Sequence, residues 1–219
     1  MGALEHSIAR DAQAFAAFDP IELYRLIRAN ETRRASADPF MAHVMACALA
    51  AGILDARQMH DNVSDATGLG RAALAAILRE WLPGAGSLFS VASEPAVAVL
   101  DEEESQLFEL LSSHKVDASE EARWIVAIVA RRAMAPRHLW QDLGLANRAE
   151  LSQLVARWFP KLAAGNVGNM KWKKFFYRKL CELEGFTLCA APTCAECSDF
   201  HDCFGDEDAE SGLARLSRR

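Results

Sequence analysis

The chain has 219 residues, 51% of them hydrophobic and 25% charged, with a formal net charge of −6. That composition describes a globular protein long enough for one core or two packed ones. The acidic balance without a basic face argues against a nucleic-acid partner. The longest apolar run, Phe40 to Leu54, is 15 residues, is interrupted by His43 and is too short to cross a bilayer, so no membrane partner is expected. The N-terminus lacks a basic-then-apolar leader, which makes the cytoplasm the expected compartment. There, six cysteines argue for metal binding rather than a disulfide framework.

Apolar spacing is helical nearly throughout, and no alternating β pattern persists. It predicts helices over 11–29, 39–53, 56–66, 70–82, 102–113, 118–133, 136–143, 147–158 and 170–184. Asp101 stands before a Glu-rich first turn, and Asp117 with Ser119 and Glu120 marks another helix start. Pro136 suits the first turn of its helix. The stretch 84–100, with Gly84, Gly86 and Pro95, reads as a linker.

Two similar halves flank that linker. Gly68, Leu69, Arg71, Leu74, Leu78, Trp81, Leu82 and Pro83 match Gly144, Leu145, Arg148, Leu151, Val155, Trp158, Phe159 and Pro160. The Leu-to-Trp interval of seven residues puts both side chains on one helical face in each half. The fold expected is therefore all-α, a helical bundle built from a duplicated four-helix unit with a cysteine-rich C-terminal loop. Its parts are a first unit over 1–83, the linker over 84–100, a second unit over 101–185, a cysteine loop over 186–205 and a disordered tail over 206–219.

Four cysteines, Cys189, Cys194, Cys197 and Cys203, fall within fifteen residues in the pattern C-x4-C-x2-C-x5-C. Structural zinc sites usually pair two short knuckles about a dozen residues apart, and no second knuckle is present here. C-x4-C-x2-C is also used for iron–sulfur ligation. The residues between the cysteines are small, turn-prone or polar, so a metal centre would supply most of the segment's order. A disulfide pair or inert thiols is the competing reading. Just upstream, residues 161–180 hold Lys161, Lys171, Lys173, Lys174, Arg178 and Lys179 and no acid, whereas 182–210 hold nine acids and no Lys or Arg.

The approach to the cysteines runs N-M-K-W-K-K-F-F-Y-R-K-L-C-E from Asn169 to Glu182, then through Gly185, Leu188, Ala191 and Pro192 to Cys203, Phe204 and Gly205. With the cysteine spacing, and with H-L-W-Q-D-L-G-L from His138 to Leu145, this stretch resembles the nitrogen-fixation family NifQ. The specific resemblance covers roughly 136–205. It implies a carrier rather than a turnover enzyme, one that holds a molybdenum–iron–sulfur cluster on the four cysteines. Such a carrier supplies molybdenum for the iron–molybdenum cofactor of nitrogenase. The partners it implies are the nitrogenase cofactor scaffold complex, the nitrogenase iron protein, and molybdate or another molybdenum source. An electron-transfer iron–sulfur protein and a zinc-stabilised interaction module are the alternatives from other classes.

Several residues have two readings. Asp199, His201 and Asp202 could offer oxygen or nitrogen to a harder metal, or be solvated loop polars. On helix 170–184 the apolar stripe is Trp172, Phe175, Phe176, Leu180 and Leu183. Cys181 falls on the other side, beside Lys174 and Arg178, as an accessory ligand or a packing residue. Lys171, Lys174 and Arg178 could attract molybdate, dock an acidic partner, or simply be solvated. Cys47, in an Ala-rich helix, reads as a small buried hydrophobe.

Overall fold

In the computed structural model, which describes residues 19–183 and Gly185, the described residues form eleven α-helices and no strand. In chain order they are α1 (Pro20–Arg28), α2 (Arg33–Ala37), α3 (Pro39–Met59), α4 (Val63–Thr67), α5 (Arg71–Glu80), α6 (Glu102–His114), α7 (Glu120–Ala133), α8 (Leu139–Asp142), α9 (Arg148–Trp158), α10 (Pro160–Gly165) and α11 (Trp172–Leu183). Short 3-10 turns at Pro83–Ser87 and Val91–Ser93 lie between α5 and α6. The protein is all-α, as the apolar spacing predicts.

Helix starts coincide with side-chain caps. Asp38, Asn62, Asp101, Ser119 and Asn147 each accept a hydrogen bond from the backbone N–H three residues on, satisfying a donor the helix leaves open. Several boundaries differ from the sequence expectation. The helix expected to break near 54 runs on to Met59, because Asp55, Ala56 and Arg57 continue it. It stops at His60, whose left-handed backbone (φ 59°) turns the chain. The helix expected from Pro136 starts only after His138, leaving Pro136 in the preceding turn. Helices α2 and α10 were not expected, since five and six residues are too few to show a period.

α3 is the central element. By length and composition it could cross a membrane, yet it is covered along most of its length by neighbours, with Met41, Val44, Met45, Cys47, Leu49 and Ile53 all at 1% exposure or less. Core helices pass the same test of apolar length. Around α3 and α7 the buried side chains form one continuous cluster.

The two halves share backbone detail. Gly68 and Gly144 both adopt the left-handed conformation (φ 75° and 72°) before a buried leucine. Helices α5 and α9 then run into a buried tryptophan, Trp81 or Trp158, each with an arginine side chain 5.2 Å from the ring centre (Arg34 and Arg157). Leu82 (φ −132°, ψ 62°) and Phe159 (φ −133°, ψ 59°) come next with nearly one conformation, and Pro83 or Pro160 opens the next turn. α1 packs on α3 and on the turn after α5; α6 packs on α7 and on α10, the matching pair.

One buried cation ties the halves together. Arg132, on α7, donates from Nη2 to Asp55 Oδ2, from Nη1 to the Ala66 carbonyl and from Nε to the Asp142 carbonyl. Those bonds join α3, α4 and α8 through a side chain that is 4% exposed. In the stretch read as the linker, Glu94 is buried and its carboxylate accepts from the N–H groups of Val63 and Ser64, closing the start of α4.

Candidate functional site

Cys189, Cys194, Cys197, Cys203 and His201 lie outside the described residues, as do Asp199, Asp202 and the tail over 206–219. What the structure gives is the platform that carries the chain to them. That platform begins with a clasp. Asn166 Oδ1 accepts from Met170 N and Asn166 Nδ2 donates to the Met170 carbonyl, both at 2.8 Å. Asn169 between them takes a left-handed conformation (φ 52°). Arg148, at the start of α9, donates to the carbonyls of Asn169 (2.7 Å) and Met170 (2.9 Å). The direction of α11 is therefore fixed before its first residue.

Trp172, Phe175, Phe176 and Leu180 are buried and hold α11 against α6. Trp172 meets Phe175 edge-on at 5.8 Å and donates from Nε1 to Ser152 Oγ at 3.1 Å. Leu183 shares their helical angle but is 72% exposed. It sits in the last turn, where it does not join the buried stripe.

The basic run divides into distinct roles. Lys173 Nζ donates to the Ala135 carbonyl and to Asp142 Oδ2 (2.6 Å), so it pins α11 to α8. Burial pulls the Lys173 ammonium down, against the opposing effect of Asp142. Asp142 itself is fully buried and also accepts from Arg137 Nε at 3.1 Å. Arg178 and Lys179 both reach Glu182, at 3.0 and 2.7 Å. The neighbouring lysine, and then Arg178, hold the Glu182 carboxyl below its ordinary range. Arg178 is thus partly balanced by Glu182, an acid that lies just beyond the run of six Lys and Arg over 161–180.

Lys171, Lys174, Arg178 and Cys181 recur at intervals of three, four and three residues, the spacing of one helical face. Lys174 is exposed and Cys181 is a half-buried free thiol. The residue that sequence reasoning missed is Asp142. It lies inside the segment His138–Leu145, which carries part of the family resemblance, but only the fold brings it to Lys173.

A second polar cluster sits inside the body. Tyr24 Oη bonds His43 Nδ1 at 2.7 Å, Arg28 donates to Tyr24 Oη at 2.7 Å, and His43 Nε2 lies 3.3 Å from Glu150 Oε2. Cys47 is fully buried 3.7 Å from the His43 ring nitrogens, and burial pushes its thiol well up, as befits a packing residue. Among the described residues no group of three or more His, Cys, Asp or Glu is placed to hold a metal ion.

The NifQ family model matches residues 44–205, most of the chain and all four cysteines of the motif. The chain belongs to the NifQ family. It is 40% identical over 172 residues to the Protein NifQ homolog of Sinorhizobium fredii, covering 78% of this chain and 75% of that protein. It is 51% identical over 90 residues to Protein NifQ of Rhodobacter capsulatus, covering 41% of this chain and 50% of that one. With Protein NifQ of Azotobacter vinelandii it shares 47% over 107 residues, covering 49% and 54%. The match therefore spans about half the length of the last two relatives. No solved structure matches. NifQ membership extends the resemblance read over 136–205 back to residue 44 and gives the chain a role in nitrogen fixation, in iron–molybdenum cofactor biosynthesis.

Proposed function

We propose that this NifQ-family chain carries molybdenum within an iron–sulfur cluster held by Cys189, Cys194, Cys197 and Cys203, and passes the metal to the machinery that builds the nitrogenase cofactor. The observation that carries this reading is the four-cysteine motif lying wholly inside the family match. Thiolates are soft ligands suited to iron–sulfur clusters. Among the described residues no group of three or more His, Cys, Asp or Glu is placed to hold a metal ion, which is consistent with a cargo held by the cysteine segment. His201, with Asp199 and Asp202, supplies harder donors for molybdenum inside the longest cysteine interval. Cys181, at the end of α11, is the accessory thiol.

A carrier must release what it holds, and a short loop opens at less cost than a packed core. The receivers are the nitrogenase cofactor scaffold complex and the nitrogenase iron protein, in the cytoplasm, with molybdate or another molybdenum compound as the source. The chain turns over no substrate. Metal analysis of protein isolated without oxygen tests the reading: molybdenum together with iron and sulfide is the expected result. Iron and sulfide alone would instead mark an electron-transfer protein, and zinc alone an interaction module.

A further inference from the structure

We propose that a cavity beside the first turn of α11 binds a small tetrahedral oxyanion carrying two negative charges. The cavity measures about 170 Å³. His138, Lys171, Lys173 and Lys174 line it, over a floor that includes Leu151 and Trp172, and among the described residues no carboxylate belongs to its walls. It is smaller than the roughly 300 Å³ where pockets for drug-sized ligands begin, and far larger than the about 15 Å³ one water needs. A small ion fits that range; a nucleotide does not.

Charge decides the sign of the ion. Lys173 lines the cavity, and the buried Asp142 carboxylate that it bonds also accepts from Arg137, so among the described residues two cations share one anion there. Lys174 adds another and makes no ion pair among the described residues. Lysine heads are compact point charges on flexible stems, suited to an ion with no preferred face, whereas arginine forks favour planar carboxylates.

The site is also held in place. The Asn166 clasp and the Arg148 bonds fix Lys171, and the Trp172–Ser152 bond fixes the floor. From Lys174 the same helical face leads through Arg178 to Cys181, a rise of about 10 Å along the axis. Along the sequence, Lys174 precedes Cys189 by fifteen residues. That the ion is molybdate rests on the function proposed above; that the cavity takes a dianion does not.

Equilibrium dialysis of the full chain with labelled molybdate, with sulfate and phosphate as competitors, tests the inference. Molybdate should bind one site and sulfate should compete for it. Lys171→Gln/Lys174→Gln should weaken binding by about tenfold or more, as expected when charge-assisted hydrogen bonds are lost. Lys174→Glu alone, at an exposed position that folding tolerates, should do nearly the same, while Arg178→Gln should change it less than twofold. A variant with all four motif cysteines replaced by Ser should bind the anion as the native chain does. Binding that survives the lysine changes, or that disappears with the cysteines, overturns the inference. Failure of the cluster proposal would show separately, as anion binding without iron or sulfide in the purified protein.

Discussion

The two halves leave their common frame in opposite ways. In the first, Arg71 at the start of α5 holds the departing chain by the Glu94 carbonyl (2.7 Å), and its own N–H bonds the Pro95 carbonyl. The Glu94 carboxylate turns inward to close α4. In the second, Arg148 at the equivalent place holds the chain by Asn169 and Met170, and the next residues along it, Lys171, Lys173 and Lys174, surround a cavity. One clasp thus serves two ends: the first seals the body, and the second presents charge and leads to the cysteines. The frame is set by packing, and the chemistry is placed in the segments that leave it.

The bond network that joins the halves offers the hardest blow to this arrangement. Arg132→Met strips a carboxylate and two carbonyls of a buried donor and should lower unfolding free energy by about 3 kcal/mol in denaturant melts. A loss below about 1 kcal/mol would mean the halves hold together without it. Gly68→Ala comes next. Its left-handed backbone strains any Cβ, and that Cβ would stand 2.6 Å from the Ala127 carbonyl on α7, so a cost of about 2 kcal/mol is expected from the same melts.

The clasps themselves sharpen the comparison. Arg71→Ala and Arg148→Ala should each cost about 1 kcal/mol in stability. Only Arg148→Ala should also weaken oxyanion binding, because only its chain leads to the lysines. Equal effects on binding would erase the distinction between the two exits.

The smallest effect is in acid. Arg157 and, beyond it, the Met41 N–H hold the Asp38 carboxyl below its ordinary range, against the opposing effect of burial. A carboxyl depressed in the folded state adds stability above its unfolded pKa of about 3.9, and that stability is lost as pH falls through the folded value. Asp38→Asn should therefore flatten the acid limb of the stability curve below about pH 4, while leaving the pH-independent cap of α3 largely intact.

The sequence carried the helices well where they were long. Trp172, Phe175, Phe176 and Leu180 lie where their spacing put them, and the Gly-Leu…Trp repeat marked two segments that share left-handed turns at Gly68 and Gly144. It failed at ends and short pieces. His60 stops α3 without a Gly or Pro to announce it, and Thr32 and Pro160 were start signals passed over because five or six residues show no period. At the candidate site, spacing made the cysteines visible. The use of Lys173 was not visible, since its partner Asp142 is 31 residues away and only tertiary packing brings them together.

The central claim is that a self-sufficient helical body supports a separate metal-carrying segment. Its most direct test is to replace Cys189, Cys194, Cys197 and Cys203 one at a time by Ala and to measure iron, molybdenum and sulfide without oxygen, alongside helical circular dichroism. Each replacement should sharply reduce cluster content while the helical signal stays near that of the native chain, because the core lies in α1–α11. Native metal content in all four variants, or loss of the helical signal with the metal, would contradict the account.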